Sequence, residues 1–159
     1  MKEIEDYKKG ISIFSHLAKD LDLVDLFQKP GPGEWSFIEV FLHLLDADLA
    51  FSDRMKRVIS EEKPPLIKFD EKMYQKRLNY HPKTLPTAIK LFEANREMTL
   101  FHLDILKPED FNRIGIHSIK GEQTLLEILK FSTWHLNHHG KFLYGKRKNL
   151  GKEIEENYI

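Results

Sequence analysis

Apolar residues recur at every third or fourth position in four long segments of this chain, which proline, glycine and charged residues separate. This spacing places the apolar side chains on one face of an α-helix. The four predicted helices span roughly residues 4–17, 36–60, 84–106 and 124–144. With almost no strand signal elsewhere, the pattern predicts an all-α protein, a four-helix bundle with a long connection between the second and third helices.

Helix-start signals support three of these segments. Ser36 with Glu39, and Thr124 with Glu127, form capping boxes in which each side chain bonds the backbone N–H of the other residue. Pro86 lies in the first turn of the third helix, where its missing N–H has no intrahelical partner to lose. The second helix is apolar over much of its circumference, which predicts that it is well buried.

The remaining segments are less regular. Residues 20–27 indicate a short extra turn. The connection over residues 61–83 contains three prolines, and a connection of this length in a compact domain usually carries a functional feature or its own short helix. Residues 113–117 alternate weakly, like a short extended segment. We predict one bundle domain over residues 1–148 and a polar C-terminal tail over residues 149–159.

Composition narrows the class of protein. The 159 residues are 41% apolar and 31% charged, as in an ordinary globular domain, and the formal net charge is zero. That balance argues against a broad electrostatic affinity for nucleic acid or anionic membranes. The chain has no cysteine, so nitrogen and oxygen must hold any metal. The polar, acidic N-terminus does not resemble a signal peptide, no apolar run is long enough to span a membrane, and we predict a cytoplasmic protein.

Three histidines fall within residues 135–139. In a helix, His135 and His139 lie one above the other on one face, where two imidazoles can converge on one metal ion. His135 with His138 is the rival pair. A usable site needs a further ligand, and His43 in the apolar second helix is the candidate. Burial there favours the neutral, metal-binding imidazole, but a core histidine bonded to a carboxylate or backbone group would fit the same pattern.

The heights of these histidines in the bundle are compatible. His43 lies seven residues after its helix cap and His135 eleven residues after its own, which is roughly 10 and 16 Å along each axis. In an alternating bundle the second and fourth helices run the same way. The two side chains can therefore meet if these helices are neighbours.

Several short motifs in this order resemble the DinB/YfiT superfamily of four-helix-bundle metalloenzymes. They are Trp35-Ser36-x-x-Glu39-Val40-x-x-His43-Leu44-x-Asp46, then Arg96, then Gly121-x-x-Thr124-Leu125, and finally His135-x-x-His138-His139. The resemblance covers the chain from the first helix to about Tyr144. It implies that the metal ligands are His43, His135 and His139, and all three positions hold histidine here.

The same resemblance implies a reaction. Some relatives are transferases or isomerases that use low-molecular-weight thiols such as bacillithiol, mycothiol or glutathione. Three neutral histidines leave a divalent ion an open position for water or for a thiolate. We predict a thiol-dependent S-transferase that acts on a small-molecule substrate, with zinc as the first choice of metal and nickel as the second. The alternatives are a metal-dependent hydrolase on the same site and a non-catalytic bundle, which could be a homodimer.

Four further residues are weaker candidates. Asp46 follows His43 by three residues and either orients it or faces solvent. His138 neighbours the histidine pair but lies about a third of a turn from His139. It therefore supports a ligand, lines the pocket or lies at the surface, unless it replaces His139 as a ligand. Arg96 falls between apolar neighbours and would suit an anionic group if it faced a pocket. Tyr80 could reach the pocket mouth. No residue is assigned a catalytic role.

Overall fold

The computed structural model describes residues 1–157, and this part of the chain is mostly helical. Its α-helices, in chain order, are α1 (Lys2–Lys9), α2 (Ile13–Ala18), α3 (Leu23–Phe27), α4 (Phe37–Ser60), α5 (Glu71–Arg77), α6 (Leu85–Asp104) and α7 (Leu125–Asn149). The predicted four-helix bundle is confirmed, because α1 with α2, α4, α6 and α7 pack together as its four arms.

The first predicted helix is interrupted at residues 10–12, between α1 and α2. Gly10 follows α1, and glycine inside a helix costs about 1 kcal/mol relative to alanine, which favours a break there. After α2 the chain turns at Asp20, whose positive φ of 58° cannot continue a helix. The short turn predicted over residues 20–27 is α3, which Asp22 caps by accepting a hydrogen bond from the Asp25 backbone N–H.

The two predicted capping boxes are present. Ser36 Oγ accepts a hydrogen bond from the Glu39 N–H at 3.3 Å, and Glu39 Oε2 accepts one from the Ser36 N–H at 2.7 Å. Thr124 and Glu127 make the same exchange at 3.1 and 2.7 Å. Because each box satisfies N–H groups that a helix start leaves free, α4 and α7 begin where the sequence predicts.

α4 is the central helix and packs against both α6 and α7. Its buried residues occupy more than one face, as its apolar circumference predicts. In the core, the ring of Phe14 on α2 stacks on Phe92 of α6 with centroids 4.4 Å apart, and meets Phe41 of α4 edge-on at 4.9 Å. Since α4 and α7 are direct neighbours, the condition for His43 to meet the histidines of α7 is fulfilled.

A small three-stranded sheet closes one side of the bundle, and the sequence indicates only part of it. β1 (Pro65–Leu66) pairs in parallel with β2 (Ile114–His117), and β2 pairs antiparallel with β3 (Gly121–Thr124). β2 is the weakly alternating segment. β1 is only two residues long and exists through pairing with a distant segment, which periodicity cannot reveal. Leu66 packs directly over Gly115, where a Cβ would come within 2.8 Å of its side chain.

The long connection between α4 and α6, here called the crossover (residues 61–84), contains β1, the helix α5 and a short 3₁₀ turn over Pro82–Thr84. α5 buries none of its own residues. Polar contacts hold the crossover on α4: Gln75 Nε2 donates to Glu39 Oε1 at 2.7 Å, and the Tyr80 hydroxyl donates to Asp46. The crossover therefore covers the face of α4 that carries Glu39, His43 and Asp46.

The polar segment after α7 lies against the first helices. Asn157 N–H donates to the Tyr144 hydroxyl at 2.8 Å, and Lys152 pairs with Asp25. α7 ends at Asn149, and the division into a bundle domain over residues 1–148 and a tail over residues 149–159 stays a prediction. Within residues 1–157, no helix combines the length and the apolar character that crossing a bilayer requires.

Candidate metal centre

His43 lies in the bundle core with only 2% of its surface exposed. The ring of Trp35, just before α4, meets it edge-on with centroids 5.0 Å apart, and Phe69 of the crossover stacks on it at 6.1 Å. These aromatic rings keep water from most of the imidazole. The face that remains points at α7.

His135 and His139 lie one helical turn apart on α7, and their ring centroids are 4.5 Å from each other. Both rings approach His43, with centroid distances of 5.1 Å for His135 and 4.7 Å for His139. The structure therefore brings together the three histidines that the sequence selects. The rings of Phe51 and Phe131 flank His135 at 5.6 and 6.3 Å, so the cluster has an apolar surround.

The spacing of the ring nitrogens suits a metal ion. One nitrogen from each ring lies within 4.8 Å of the others, and Nε2 of His43 is 3.2 Å from Nε2 of His135. Two imidazoles on one tetrahedral zinc ion, each about 2.0–2.1 Å from it, have nitrogens about 3.4 Å apart. The observed separation is close to that value. Three imidazole nitrogens are a donor set that zinc, nickel, copper and iron all accept.

The protonation states also suit a metal ion. Burial, followed by repulsion from the neighbouring imidazoles, lowers the pKa of His135 to about 3. Burial and then the charges of His43 and His138 lower the pKa of His139 to about 4. Burial lowers the pKa of His43 as well, although the negative charge of Glu71 opposes it. All three rings are neutral at pH 7, and the neutral imidazole is the form that binds a metal.

The structure places a carboxylate, that of Glu71 on α5, beside this cluster. Its Oε2 lies 3.9 Å from Nε2 of His43, and about half of the side chain is exposed. No sequence pattern singles out Glu71. The available signal was the length of the crossover, which predicts a functional feature without locating it.

Asp46 and Tyr80, two of the weaker candidates, bond to each other. The Tyr80 hydroxyl donates to Asp46 Oδ2, and burial raises the pKa of that carboxyl while the hydrogen bond opposes the change. Burial, together with the neighbouring Asp46 charge, raises the pKa of Tyr80. This pair joins the crossover to α4 three residues beyond His43.

Arg96 is completely buried, and its guanidinium pairs with a carboxylate inside the core. Its Nη1 lies 3.2 Å from Asp48 Oδ1, and its guanidinium carbon lies 4.0 Å from the centre of the Tyr7 ring. Asn95 Nδ2 donates to the other Asp48 oxygen at 2.8 Å. Arg96 and His135 both line one internal gap that is too small for a water molecule. Arg96 therefore lies behind the histidine cluster, within the core.

His138, the rival ligand, lies at the surface beside the cluster, and its ring meets that of His139 edge-on with centroids 5.2 Å apart. Its ring stacks on the exposed Trp134 with centroids 4.9 Å apart and planes 16° from parallel. Phe142 meets its other side edge-on at 5.1 Å. His138 lines the cavity beside the cluster, and it is not part of the group of three converging nitrogens.

A cavity of about 700 Å³ opens beside the histidines. His43, His139 and Glu71 line one end of it, and its walls include Trp35 and Phe142. A small molecule in this cavity would reach the converging nitrogens from the solvent side. The arrangement can thus hold a metal ion on three neutral ligands, with a carboxylate and a substrate-sized space on its open side.

Comparison with known proteins agrees with this geometry. The sequence profile of the DinB superfamily matches residues 7–143. A protein of Oceanobacillus iheyensis that is provisionally named a metal-dependent hydrolase is 27% identical over 139 residues, which is 87% of this chain and 78% of that protein. A Bacillus licheniformis protein with the same provisional name is 24% identical over 151 residues, 94% of this chain and 86% of its own length.

Solved structures share the fold. YfiT from Bacillus subtilis, described as a probable metal-dependent hydrolase with an unusual four-helix-bundle topology, superposes with a TM-score of 0.86 at 21% identity, over 94% of this chain and 86% of its own. The DinB-like protein YjoA from Bacillus subtilis superposes with a TM-score of 0.70 at 17% identity, over 99% of this chain and 96% of its own. At these identities the likeness concerns the fold alone.

Proposed function

This chain belongs to the DinB superfamily, and on that premise we propose that it is a metal-dependent hydrolase whose ion is held by His43, His135 and His139. The observation that carries the proposal is the approach of one nitrogen from each ring to within 4.8 Å of the others. Burial supports it, because it keeps the rings neutral at pH 7. The provisional names of the relatives favour hydrolysis over the S-transfer predicted from the sequence.

The donor set guides the choice of metal. Zinc is the first choice for three imidazoles with an open position, and nickel is the second. When bound, such an ion lowers the pKa of water at its open position to about 7, which supplies a nucleophile at neutral pH. The surrounding rings of Trp35, Phe51 and Phe69 hold the ligands in place and exclude bulk water from them.

Glu71 is the residue that we assign to proton transfer. Its Oε2 lies on the cavity side of the cluster, 3.9 Å from Nε2 of His43, which is within reach of a water shared with that site. Glu71 Oε2 accepts the proton that the attacking water loses, and it then delivers this proton to the leaving group. Its exposure allows the proton to exchange with solvent between turnovers.

The test is an assay of zinc-loaded and nickel-loaded protein against chromogenic carboxylic esters, amides and phosphodiesters. We expect turnover that a chelator removes and that added metal restores. Glu71→Gln should lower kcat about a hundredfold with the metal content unchanged. Glu62→Gln, an exposed change in the same crossover, is the matched control and should leave kcat unchanged. Loss of metal from Glu71→Gln would show that Glu71 is a ligand and would contradict the assignment as a base.

The same assay separates hydrolysis from S-transfer. Each substrate is tested with and without bacillithiol or glutathione, and electrophilic chloronitrobenzenes are added to the panel. Turnover in the absence of thiol supports the hydrolase. Turnover that requires a thiol would replace the hydrolase proposal with the S-transferase, on the same three histidines.

A further inference from the structure

The cavity beside the histidines continues along one face of α7. Its lining runs from His139 past Phe142 and Gly145 to Lys146, which spans two turns of the helix. We call this part of the cavity the α7 groove (residues 139–146 with Trp35 opposite). At the standard rise, Lys146 lies about 10 Å from His139 along the helix axis. The α7 groove is thus an elongated space with the histidines at one end and an ammonium group at the other.

The protein satisfies only part of the hydrogen-bonding capacity of the Lys146 ammonium. Its Nζ donates to the Trp35 carbonyl at 2.6 Å, and it makes no ion pair with any carboxylate in residues 1–157. Glu34 and Glu39 act on it from a longer distance, and burial, the larger effect, lowers the pKa of Lys146. A half-buried ammonium that has carboxylates nearby but forms no direct ion pair with them is unusual, because buried charges are normally paired. Two N–H donors of the ammonium remain for a ligand.

Gly145 has no packing reason to be glycine. It lies in the interior of α7, where glycine costs about 1 kcal/mol relative to alanine. A Cβ added there would meet no atom within 4 Å, so no neighbouring side chain or backbone requires the space. The missing side chain instead leaves the floor of the α7 groove open between Phe142 and Lys146. Glycine at such a position allows a ligand to approach the backbone.

We propose that the α7 groove binds an elongated substrate whose anionic end, a carboxylate or a phosphate, is held by Lys146. An apolar segment lies over Gly145 and against Phe142 and Trp35. The bond to be hydrolysed then lies about 10 Å from the anionic end, at the histidines. The position of that bond rests on the proposed function. The binding of an anionic, chain-like molecule in the groove does not, because it uses residues that hold no metal.

The experiment titrates metal-free and zinc-loaded protein with octanoate and with octan-1-ol, by calorimetry. In both forms of the wild type we expect octanoate to bind about tenfold more tightly than the neutral alcohol, as one charge-assisted contact predicts. Lys146→Met keeps the apolar stem and should remove this preference in the metal-free protein, where no ion offers the carboxylate a second partner. Lys148→Met, which makes the same charge change at an exposed position of α7 outside the cavity lining, is the control and should retain the preference.

Gly145→Leu is a second variant that does not depend on the charge. It fills the groove floor and improves helix propensity, so the protein should remain folded while both octanoate and octan-1-ol bind at least tenfold more weakly. Equal binding of octanoate and octan-1-ol by the wild type would overturn the proposal. The same loss of preference in Lys148→Met as in Lys146→Met would overturn it too, since the effect would then be one of overall charge.

A final arm uses straight-chain dicarboxylates from glutarate to sebacate. In zinc-loaded wild type, the longer members should bind more tightly than octanoate, because one carboxylate reaches the ion while the other meets Lys146. Metal-free protein should show no such gain. If octanoate is preferred as expected but the protein takes up no zinc, the groove is supported and the proposed function fails. If zinc binds and the preference is absent, the reverse conclusion holds.

Discussion

Two groups of polar side chains contact α4, one around the buried Asp48 and the other around the buried His43, and they differ in how their polar atoms are satisfied. Asp48 meets its opposite charge in Arg96 at 3.2 Å and accepts a hydrogen bond from Asn95 at 2.8 Å. His43 instead faces the imidazoles of His135 and His139. The pKa of each of these three rings is lowered, so all three are neutral at pH 7. The first group pairs opposite charges within the chain, although Arg96 Nε has no hydrogen-bond partner among residues 1–157. The second gathers three like groups, of which only His43 and His135 lie within hydrogen-bond distance of each other, and we propose that a metal ion is their shared partner.

On this difference we interpret the first group as a structural cluster and the second as a candidate binding site. Burial raises the pKa of Asp48 while Arg96 opposes that change, as expected where a charge pair is enclosed for packing. Of the three neutral rings, His43 and His135 can share one hydrogen bond at 3.2 Å, whereas a cation between the rings would be bound by all three. We therefore expect the first group to govern the stability of the protein and the second to govern its affinity for metal.

The largest expected effect comes from breaking the Asp48–Arg96 pair. Asp48→Ala leaves a guanidinium buried without its carboxylate, and the free energy of unfolding should fall by about 3–5 kcal/mol in urea denaturation. Asp53→Ala on the same helix removes the exposed partner of Arg57 and should change the stability little. A small effect of Asp48→Ala would contradict the structural role. The double variant Asp48→Leu with Arg96→Met should recover much of the loss, because it leaves no buried charge unpaired.

Metal addition should act on the second group. Zinc at a free concentration of about 100 times its Kd should raise the free energy of unfolding of the wild type by about 2.7 kcal/mol. His135→Leu should abolish this gain and change the stability of the metal-free protein much less than Asp48→Ala does. Denaturation curves with zinc and with a chelator measure both quantities. A gain that persists in His135→Leu would place the metal elsewhere.

Acid should weaken the metal-free protein through the same histidines. The folded-state pKa values of His135 and His139 are about 3 and 4, below the ordinary value of 6.5, so the unfolded chain binds more protons as the pH falls. Stability is retained above the unfolded pKa and decreases below it. Between about pH 6.5 and pH 5.5 the two residues should remove about 2 kcal/mol. The variant with both histidines replaced by glutamine should lose this dependence; an unchanged slope would contradict the pKa values.

The smallest expected effect concerns the pair formed by Asp46 and Tyr80. These residues bond to each other within the chain, as Asp48 and Arg96 do, but they lie close to His43. Tyr80→Phe removes one hydrogen bond between the crossover and α4, and should lower the free energy of unfolding by about 1 kcal/mol. If the pair is structural, zinc affinity measured by competition with a chelator should not change. A clear decrease in zinc affinity would show that the pair instead positions His43.

Much of the fold is predictable because its signals are local. The capping boxes at Ser36 and Thr124 mark the starts of α4 and α7. Apolar periodicity also predicts the end of α4, whereas α7 continues five residues past its predicted end at residue 144, through a basic segment. The break between α1 and α2 is less visible, since Gly10 is tolerated in many helices. β1 escapes prediction, and α5 is predicted only as one alternative for the long connection, without its position. The first depends on pairing with β2, and the second buries no side chain, so neither leaves a periodic pattern.

The candidate site likewise contains some residues that local sequence signals predict and others that only the tertiary structure reveals. The spacing of His135 and His139 fixes their common face, whereas the approach of His43 depends on which helices are neighbours, a point supplied by the family resemblance. From the sequence, Arg96 is a candidate for binding an anionic group. In the structure it pairs with Asp48 of α4, which is distant in sequence, and its side chain lies in the core. Glu71 and Lys146 become visible only when the crossover and the α7 groove are placed beside the histidines.

The most direct test of the account is the metal content of the purified protein by elemental analysis. Wild type should carry about one equivalent of zinc or nickel after reconstitution. His43→Ala, His135→Ala and His139→Ala should each lose it, and His138→Gln should keep it, because that ring stacks on Trp134 at the surface. Absence of metal from reconstituted wild type would contradict the metal centre. Retention in His139→Ala with loss in His138→Gln would assign the third ligand to His138 instead.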